Sequence, residues 1–341
     1  MILIVNSGSS SLKVALYRRH PHLEPDVTAT VDRLDRASGR WTIRVANRPD
    51  PEAGAHSLAS HAEALTEFLA WVEEHGYRDR IEAVGHRVVH GGPAYSRPVT
   101  IDDDVVNVLT RLIPIDPGHL PQAIACIDAV RQRLPNLRQI ACFDTAFHTS
   151  MPRVARQLPL PRRLEEQGIV RYGFHGLSYE YIQQQLAALD ADARAKRTVV
   201  AHLGNGASMV ALRDGQSVDT TMGLTPTGGL MMGTRTGDLD PGTLVYLMRT
   251  TRLDADAFDS LVNQESGLLG VSGISGDMRD VQAAAGEDEQ AREALDLFAY
   301  VAKKHLGALA AVLGGLDRLV FTGGIGEHAA AVRSAICAGS V

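Results

Sequence analysis

The stretch TVVAHLGNGASMVALRDGQSVDTTMGLTPTGGLMMGTRTGDLDPG, residues 198–242, decides how the rest of the chain reads. Its apolar run Val199, Val200, Ala201 has the character of a buried strand. Gly204, Asn205 and Gly206 follow, and Asn-Gly is a strong short-range turn signal. A second strand over 209–212 leads to another turn at Asp214-Gly215. The Gly-, Thr- and Pro-rich loop beyond holds one cation, Arg235, between Thr234 and Thr236. Glycines let backbone N–H groups approach an anion closely, and hydroxyls and a guanidinium add donors. An ordinary hairpin with a long surface loop would account for Gly-Asn-Gly. It would not account for a loop so poor in charge with an arginine in it.

The first residues of the chain have the same shape. Residues 5–16 (VNSGSSSLKVAL) lie over 201–212 (AHLGNGASMVAL) without a gap, placing Gly8 on Gly204 and Val14-Ala15-Leu16 on Val210-Ala211-Leu212. Two such matches at the starts of two half-chains point to a duplicated unit. A third glycine turn comes late, where Leu319-Val320-Phe321 runs into Thr322, Gly323, Gly324, Ile325, Gly326 and Glu327. Strand-then-glycine turns converging on one cleft suit a ligand with several phosphates.

At 341 residues the chain exceeds what one hydrophobic core usually fills, so two domains are expected. The Pro-rich stretch 145–164 supplies the boundary, giving domains 1–150 and 151–341. With 45% hydrophobic and 22% charged residues the composition is globular. A net charge of −6 without a long basic run argues against a general nucleic-acid binder. Cys126, Cys142 and Cys337 lie far apart with no CxxC, and read as reduced thiols. Residues 1–5 are apolar but too short for a signal peptide, and no segment reaches the length of a membrane helix. The expectation is a soluble, cytoplasmic protein with neither a nucleic-acid nor a membrane partner.

Along the chain, 1–5 and 13–17 read as strands paired around the 7–11 turn, with 40–46 a third strand and 47–55 a surface loop. Helical faces appear over 58–76, 102–112 and 120–134. The strand 81–89 ends at His90-Gly91-Gly92, and the strand 138–143 delivers Asp144 at its C-terminal end, where open α/β sheets bind ligands. Residues 178–189 read as a helix capped by Ser178. The second half repeats the plan, with the hairpin at 199–212, helices from about 241 and over 255–262, an amphipathic helix over 288–313, a strand at 316–321 and a helix at 328–337. Strands followed by alternating helix and strand make an α/β pattern.

Five clusters carry chemistry: Asn6 with 7–11 and Lys13; Arg87 in GHRVVHGG; Asp144 in FDTAFH; His175 in RYGFHG; and Arg235. Arginines, a histidine and an aspartate around glycine loops suit phosphoryl transfer. Guanidinium forks neutralise the equatorial oxygens, and an Asp holds Mg²⁺ directly or through water. A charge pair at about 4 Å is worth about 4 kcal/mol at an effective dielectric near 20, a useful share of a barrier. Each residue also has a plainer reading: Arg87 as an ion-pair residue, His175 as a satisfied core histidine. The 13 histidines show no HExxH or Cys/His ligand spacing, so a zinc hydrolase is disfavoured. A Walker P-loop, a Rossmann GxGxxG after the first strand and a GxSxG elbow are all absent. These absences favour a nucleotide kinase or ATPase of another kind.

Together the motifs VNSGSSSLK, GHRVVHGG, CFDTAFH, RYGFHG, HLGNGAS, SVDTTMG, GLMMGTRTGDLDPG, SGDMRD and FTGGIGE, in order from residue 4 to residue 327, closely resemble the acetate kinase family. The wider superfamily contains sugar kinases and actin-like ATPases. The resemblance implies an α/β fold of two duplicated RNase H-like domains with an interdomain active-site cleft. It also implies ATP/ADP with Mg²⁺, transfer of a phosphoryl group between nucleotide and carboxylate to give an acyl phosphate, and a homodimer. Carried over to this sequence, Arg87 and Arg235 bind the carboxylate and the moving phosphoryl group. His175 stabilises the transition state, and Asp144 acts at the metal or reacting centre. Asn6 matches the magnesium-site Asn, and Lys13 the N-terminal nucleotide-site Lys. His202, Leu203, Gly204, Asn205 and Gly206, then Asp277, Met278 and Arg279, then Gly323, Gly324, Ile325, Gly326 and Glu327 match the nucleotide-binding segments. Val89, His119, Phe174 and Pro226 match the substrate pocket.

Several positions depart from the family pattern. Ala-Pro-Leu-His-x-Pro is here Asp116-Pro117-Gly118-His119-Leu120-Pro121, so a pocket-lining Leu becomes Gly118. Thr-Ser-His after GFHG is Leu177-Ser178-Tyr179, Thr-Pro-Leu-Glu-Gly is Thr225-Pro226-Thr227-Gly228-Gly229, and the Asn after GGIGE is His328. The family's segment beyond the helix holding Cys337 carries a magnesium-binding Glu with no counterpart in this sequence, which implies a weaker hold on Mg²⁺. The leading expectation is an acetate kinase; a propionate- or butyrate-preferring kinase and a catalytically impaired nucleotide-binding relative are the alternatives. A sugar kinase or actin-like ATPase fits less well, because two arginines suit a planar carboxylate.

Overall fold

The strand Ile2–Ser7 (β1) shows why the N-terminal sheet forms: Leu3, Val5 and Ser7 are buried while the residues between them are partly exposed. The computed structural model describes residues 1–8, 11–18, 24–32, 34, 40–55, 58 and 60–339. Ser9 and Ser10 of the expected Ser-rich turn lie outside the described residues. The chain divides into two units, Met1–Ala146 and Phe147–Val341.

In the first unit β1 is followed by β2 (Ser11–Tyr17), β3 (Pro25–Asp32), β4 (Arg40–Val45), β5 (Glu52–Ala55), β6 (Ala83–Val88), β7 (Val99–Thr100) and β8 (Arg138–Phe143), in the sheet order β5-β4-β3-β2-β1-β6-β8-β7. β1 to β5 form an antiparallel meander, whereas β6 runs parallel to β1 and β8 parallel to β6. Two of these strands correct the sequence reading. β3 alternates Val27, Ala29 and Val31 into the core, a period-two pattern that the reading passed over. The expected surface loop at 47–55 contains β5, an edge strand paired with β4.

Three helices cover this sheet. α1 (His61–Glu74) begins at Ser60, whose hydroxyl accepts the Glu63 N–H, and it buries Ala64, Leu65, Phe68, Leu69 and Val72. α2 (Asp103–Leu112) begins at Asp102, which accepts the Val105 N–H. α3 (Leu120–Arg133), with Pro121 in its first turn, packs against α1 and joins the core of Leu3, Val5, Leu12 and Val14 through Cys126, Ala129 and Val130. The capping side chains of α1 and α2 supply an acceptor that the first helical turn otherwise lacks, whereas α3 starts without one.

His86 of β6 is buried, and its Nε2 lies 2.7 Å from Gln139 Oε1. Burial lowers its pKa to about 4, against a smaller raising effect from the Gln139 hydrogen bond. In the unfolded chain a His protonates near 6.5, so the native state takes up this proton later than the unfolded state as pH falls. Stability should therefore be lost between about pH 6.5 and about 4 and level off below that window. Chemical denaturation at intervals across this range checks it, and His86→Gln should flatten that part of the curve.

The second unit opens with two short helices, α4 (Arg153–Arg156) and α5 (Arg162–Glu165), in the stretch expected to be irregular. Then come α6 (Gly176–Leu189), β9 (Thr198–Leu203), β10 (Ala207–Arg213), β11 (Gln216–Thr220), α7 (Pro241–Thr251), α8 (Ala255–Gln264), α9 (Gly267–Ser272), α10 (Met278–Ala284), α11 (Glu289–Leu313), β12 (Arg318–Thr322), α12 (Gly323–His328) and α13 (Ala330–Cys337). Its sheet has the order β11-β10-β9-β12, antiparallel except for β12, which runs parallel to β9. That is the arrangement of β3-β2-β1-β6 in the first unit. β9 and β10 are buried along almost their whole length, because α6 packs on β9 and α11 on β10. Continuous apolar runs are what strands covered on both faces need.

The ungapped superposition of the two hairpins fails by one residue. Ser7 faces Leu12 across the first turn, but Leu203 faces Ala207 across the second, so Val5 pairs with Val14 while Ala201 pairs with Met209. The second turn is shorter by one position, and a shift of one reverses the face of every side chain. Val14 thus corresponds to Met209, not to Val210. Two further expectations are corrected. α6 starts at Gly176 with His175 as its first flanking residue, so Ser178 lies inside the first turn and does not cap it. The late glycine turn is the helix α12, entered through Gly323 at φ +79°, where a Cβ would sit 2.6 Å from the Leu203 carbonyl oxygen. The Gly-rich sequence hides that helix because the close approach to β9 requires glycine at its start.

Candidate active site

In the first unit, register brings three expected residues into one row. Asn6 on β1 is the partner of Lys13 on β2 and of Arg87 on β6, so all three project from the same face of the sheet. Arg87 Nε donates to Asp144 Oδ1 and Oδ2 at 3.2 and 3.1 Å, its Nη2 donates to Oδ2 at 2.6 Å, and its Nη1 donates to Asn6 Oδ1 at 3.0 Å. The Asp144 side chain is 1% exposed and that of Arg87 26%. Burial pulls the Arg87 pKa down, but the charge and hydrogen bonds of Asp144, with the charge of Asp116, outweigh it and leave the value raised. The guanidinium is therefore permanently charged. Asp144 sits just past the end of β8, its N–H donating to the Val88 carbonyl at 3.1 Å.

Lys13 is exposed and Val89 is buried. His119, the residue before α3, has its Nδ1 2.8 Å from Asp116 Oδ1. Asp116 is missing from the sequence-based site. Its carboxylate is buried, and Oδ2 has no hydrogen-bond partner among the described residues. An Asp three positions before a site His was the available signal.

The second unit gathers the other group. A Cβ built at Gly206 would lie 3.3 Å from both Arg235 Nη1 and His175 Nε2, so these two nitrogens converge on one point beside the tip of the β9–β10 turn. Arg235 Nη1 also donates to the Pro226 carbonyl at 3.2 Å. His175 is held in the left-handed region at φ +59°, its ring stacks on that of His202 at 4.3 Å, and its Nδ1 lies 2.8 Å from Ser208 Oγ. His202 Nδ1 lies 3.0 Å from Ser178 Oγ. Ser208 Oγ is also hydrogen-bonded to the Tyr179 hydroxyl. Ser178, Tyr179 and Ser208 were not expected as site residues, although a polar residue inside a strand as apolar as β10 is a usable signal.

The glycine loops pack tightly around the same turn. A Cβ at Gly233 would meet Asn205 Oδ1 at 2.4 Å and the Gly276 carbonyl at 2.7 Å. Thr322 is opposite His202 in the parallel ladder, and Gly323 rests on Leu203, so Gly204 and Gly323 leave the sheet side by side. In α12, Gly324 is open, Gly326 is buried, Glu327 is exposed and Ile325 is partly exposed. Asp277 accepts the Arg279 N–H at 2.9 Å and pairs with the Arg279 side chain at 2.6 Å, while Met278 beside them is buried. Phe174 is buried, and its carbonyl lies 2.9 Å from His148 Nε2.

The described residues contain no group of three or more His, Cys, Asp or Glu able to hold a metal. Asn6 Oδ1 and the Asp144 carboxylate do turn hard oxygens toward one cationic point, the Arg87 guanidinium. Such oxygens are of the kind Mg²⁺ takes, one or two from protein with phosphates and water, but here they already accept from Arg87, with which the ion would have to share them. No helix among the described residues is long and apolar enough to cross a membrane, and none of the three cysteines is in a disulfide.

The chain is similar to known proteins along almost its whole length. The model of the acetokinase family matches residues 1–340. An acetate kinase of Rhodopseudomonas palustris is 46% identical over 341 residues, covering 99% of this chain and 85% of the relative. The crystal structure of Porphyromonas gingivalis acetate kinase superposes with a TM-score of 0.86 at 36% identity, covering 99% of this chain and 86% of that one. That of a propionate kinase from Francisella tularensis gives 0.91 at 36% identity, covering 98% and 86%. A family match along almost the whole length, and relatives this similar over most of theirs, lead to one statement: the chain belongs to the acetokinase family.

Proposed function

We propose that this protein is an ATP-dependent kinase of short carboxylates, with acetate the leading substrate, which reversibly gives acetyl phosphate and ADP. The observation that carries the reading is the convergence of Arg235 Nη1 and His175 Nε2 on one point beside Gly206, each 3.3 Å from where its Cβ would be, at the end of a strand and beside glycine loops. Two nitrogen donors around a residue without a side chain make room for an anion between them. His202, Leu203, Gly204, Asn205, Gly206, Asp277, Met278, Arg279, Gly323, Gly324, Ile325, Gly326 and Glu327, with Lys13, are the proposed nucleotide contacts. Matching strand orders in the two units support a duplicated RNase H-like core.

In this reading Arg235 binds the moving phosphoryl group and His175 donates from Nε2 to an oxygen that gains charge in the transition state. Arg87 binds the carboxylate and is oriented by Asp144 and Asn6. Val89, His119, Phe174 and Pro226 line the acyl group. Asn6 and Asp144 are the residues that would hold Mg²⁺ beside the phosphates, where it would neutralise phosphate charge. Homodimer formation belongs to the same proposal, supported by the exposed Val245, Tyr246 and Met248 on α7, a helix with no buried residue. So does a cytoplasmic location, supported by three cysteines outside any disulfide.

Trapping acyl phosphate as the hydroxamate, with ATP, Mg²⁺ and acetate, propionate or butyrate, tests the function and its specificity together. Gly118 precedes His119 in an exposed turn, and a Cβ there meets no atom within 4 Å. Each methylene that fills apolar space gains about 1–3 kcal/mol. The space at Gly118 is open and at the surface, so the expectation rests on the family's missing Leu alone: propionate is expected to match or exceed acetate in kcat/KM, and Gly118→Leu to move the preference back toward acetate. An acetate preference unchanged by the substitution removes Gly118 from the specificity argument, and no hydroxamate from any of the three acids overturns the proposed function.

A further inference from the structure

We infer that Tyr179 and Ser208 are positioning residues that keep His175 neutral with its proton on Nε2, so that the ring donates at the anion site without being an imidazolium. The Tyr179 ring is fully buried, its hydroxyl is bonded to Ser208 Oγ, and that oxygen lies 2.8 Å from His175 Nδ1. A phenol is the more acidic hydroxyl, so it donates to the serine oxygen, and the single serine proton is left to donate to Nδ1. A ring nitrogen that accepts carries no proton, which places the proton of the neutral imidazole on Nε2. Nε2 is the nitrogen that shares with Arg235 Nη1 the space beside Gly206, each 3.3 Å from where a Cβ would sit.

The charged and titratable groups around the ring argue in the same direction. Arg235 approaches from the loop before α7, and His202 stacks on the ring from β9. Tyr179 stands on α6, one turn beyond His175. A guanidinium and a second imidazole close by both oppose a further positive charge. A hydroxyl relay gives a hydrogen-bond donor at Nε2 in spite of that opposition. The inference also explains two features of the local sequence. Ser208 is a fully buried polar residue in an otherwise apolar strand, and Tyr179 is a fully buried side chain whose hydroxyl ends inside the unit. The comparison with the serine-protease triad is instructive: there too a partner on one ring nitrogen decides which tautomer presents its other nitrogen to the reaction.

The inference rests on the proposed phosphoryl transfer for its consequence but not for its geometry, so it is tested with two readouts. The first is the two-bond ¹⁵N–¹H spectrum of the full chain labelled at histidine, with the His175 signals assigned by their loss in His175→Gln. The wild type is expected to show a neutral ring protonated at Nε2 at neutral pH, and Tyr179→Phe, which keeps the ring packing, is expected to lose that single tautomer. A wild-type ring protonated at Nδ1, or charged at neutral pH, overturns the inference whatever the activity. The second readout is the pH profile of kcat for phosphoryl transfer to acetate. The wild type should stay level as pH rises through the neutral range. In Tyr179→Phe and in Ser208→Ala only the imidazolium guarantees a donor at Nε2, so kcat should fall at least about tenfold toward the alkaline side, with the KM for ATP nearly unchanged. Profiles of the two variants parallel to the wild type overturn the inference. Absence of transfer in the wild type would count against the proposed function and leave the tautomer spectrum to decide the relay.

Discussion

Arg235→Ala is expected to lower kcat by about 10²–10³ while leaving the fold intact, the loss typical of removing one preorganised donor from a developing negative charge. The structure explains why activity and stability separate at this residue. Its guanidinium is bonded to the Pro226 carbonyl and lies near the Met232 sulfur. Both of these acceptors are neutral, and a neutral acceptor that loses its donor costs less than a stranded charge. Steady-state kinetics and a thermal melt on the same preparation check this. Turnover near wild type would remove Arg235 from the reaction, and a large fall in Tm would make it structural.

Arg87→Ala is expected to damage both. Asp144 is almost fully buried and receives three guanidinium contacts, and Asn6 Oδ1 receives a fourth. Deleting one partner of a buried pair leaves the other as an uncompensated charge, at a cost of about 3 kcal/mol. In the sequence Arg87 is a candidate for the reacting site, and its loss reads as a loss of kcat alone, because the partner lies 57 positions away and is invisible locally. The structure adds the loss of stability. Arg87→Ala combined with Asp144→Ala should recover most of that stability without recovering turnover, since the stranded charge is gone while the carboxylate still lacks its arginine. A double variant no more stable than Arg87→Ala would show that the pair is not what stabilises this corner of the sheet.

The contrast between these two arginines shows what is legible in the sequence. Both stand out as cations in glycine loops, and the motif order from residue 4 to 327 is enough to recover the family. Strands with an apolar run or a two-residue period were legible where the reading looked for them, as at 138–143, which is β8 to the residue. What failed depended on distance or on glycine. The one-residue difference between the two hairpins is a matter of register, set by backbone pairing that residue types alone do not specify. Glycine at the start of α12 looked like a turn, because a helix forced against a neighbouring strand uses the same residue. Asp116, Tyr179 and Ser208 are neighbours of site residues, and only their burial and their hydrogen bonds distinguish them from ordinary polar side chains.

The central claim is direct transfer between ATP and a carboxylate, and ³¹P NMR of the full chain with ATP, Mg²⁺ and acetate tests it most directly. The account predicts that the γ-phosphate resonance is replaced by that of acetyl phosphate in proportion to the ADP formed, and that adding acetyl phosphate to ADP regenerates ATP. Release of inorganic phosphate with no acetyl phosphate, or ATP unchanged in the presence of acetate, would contradict it.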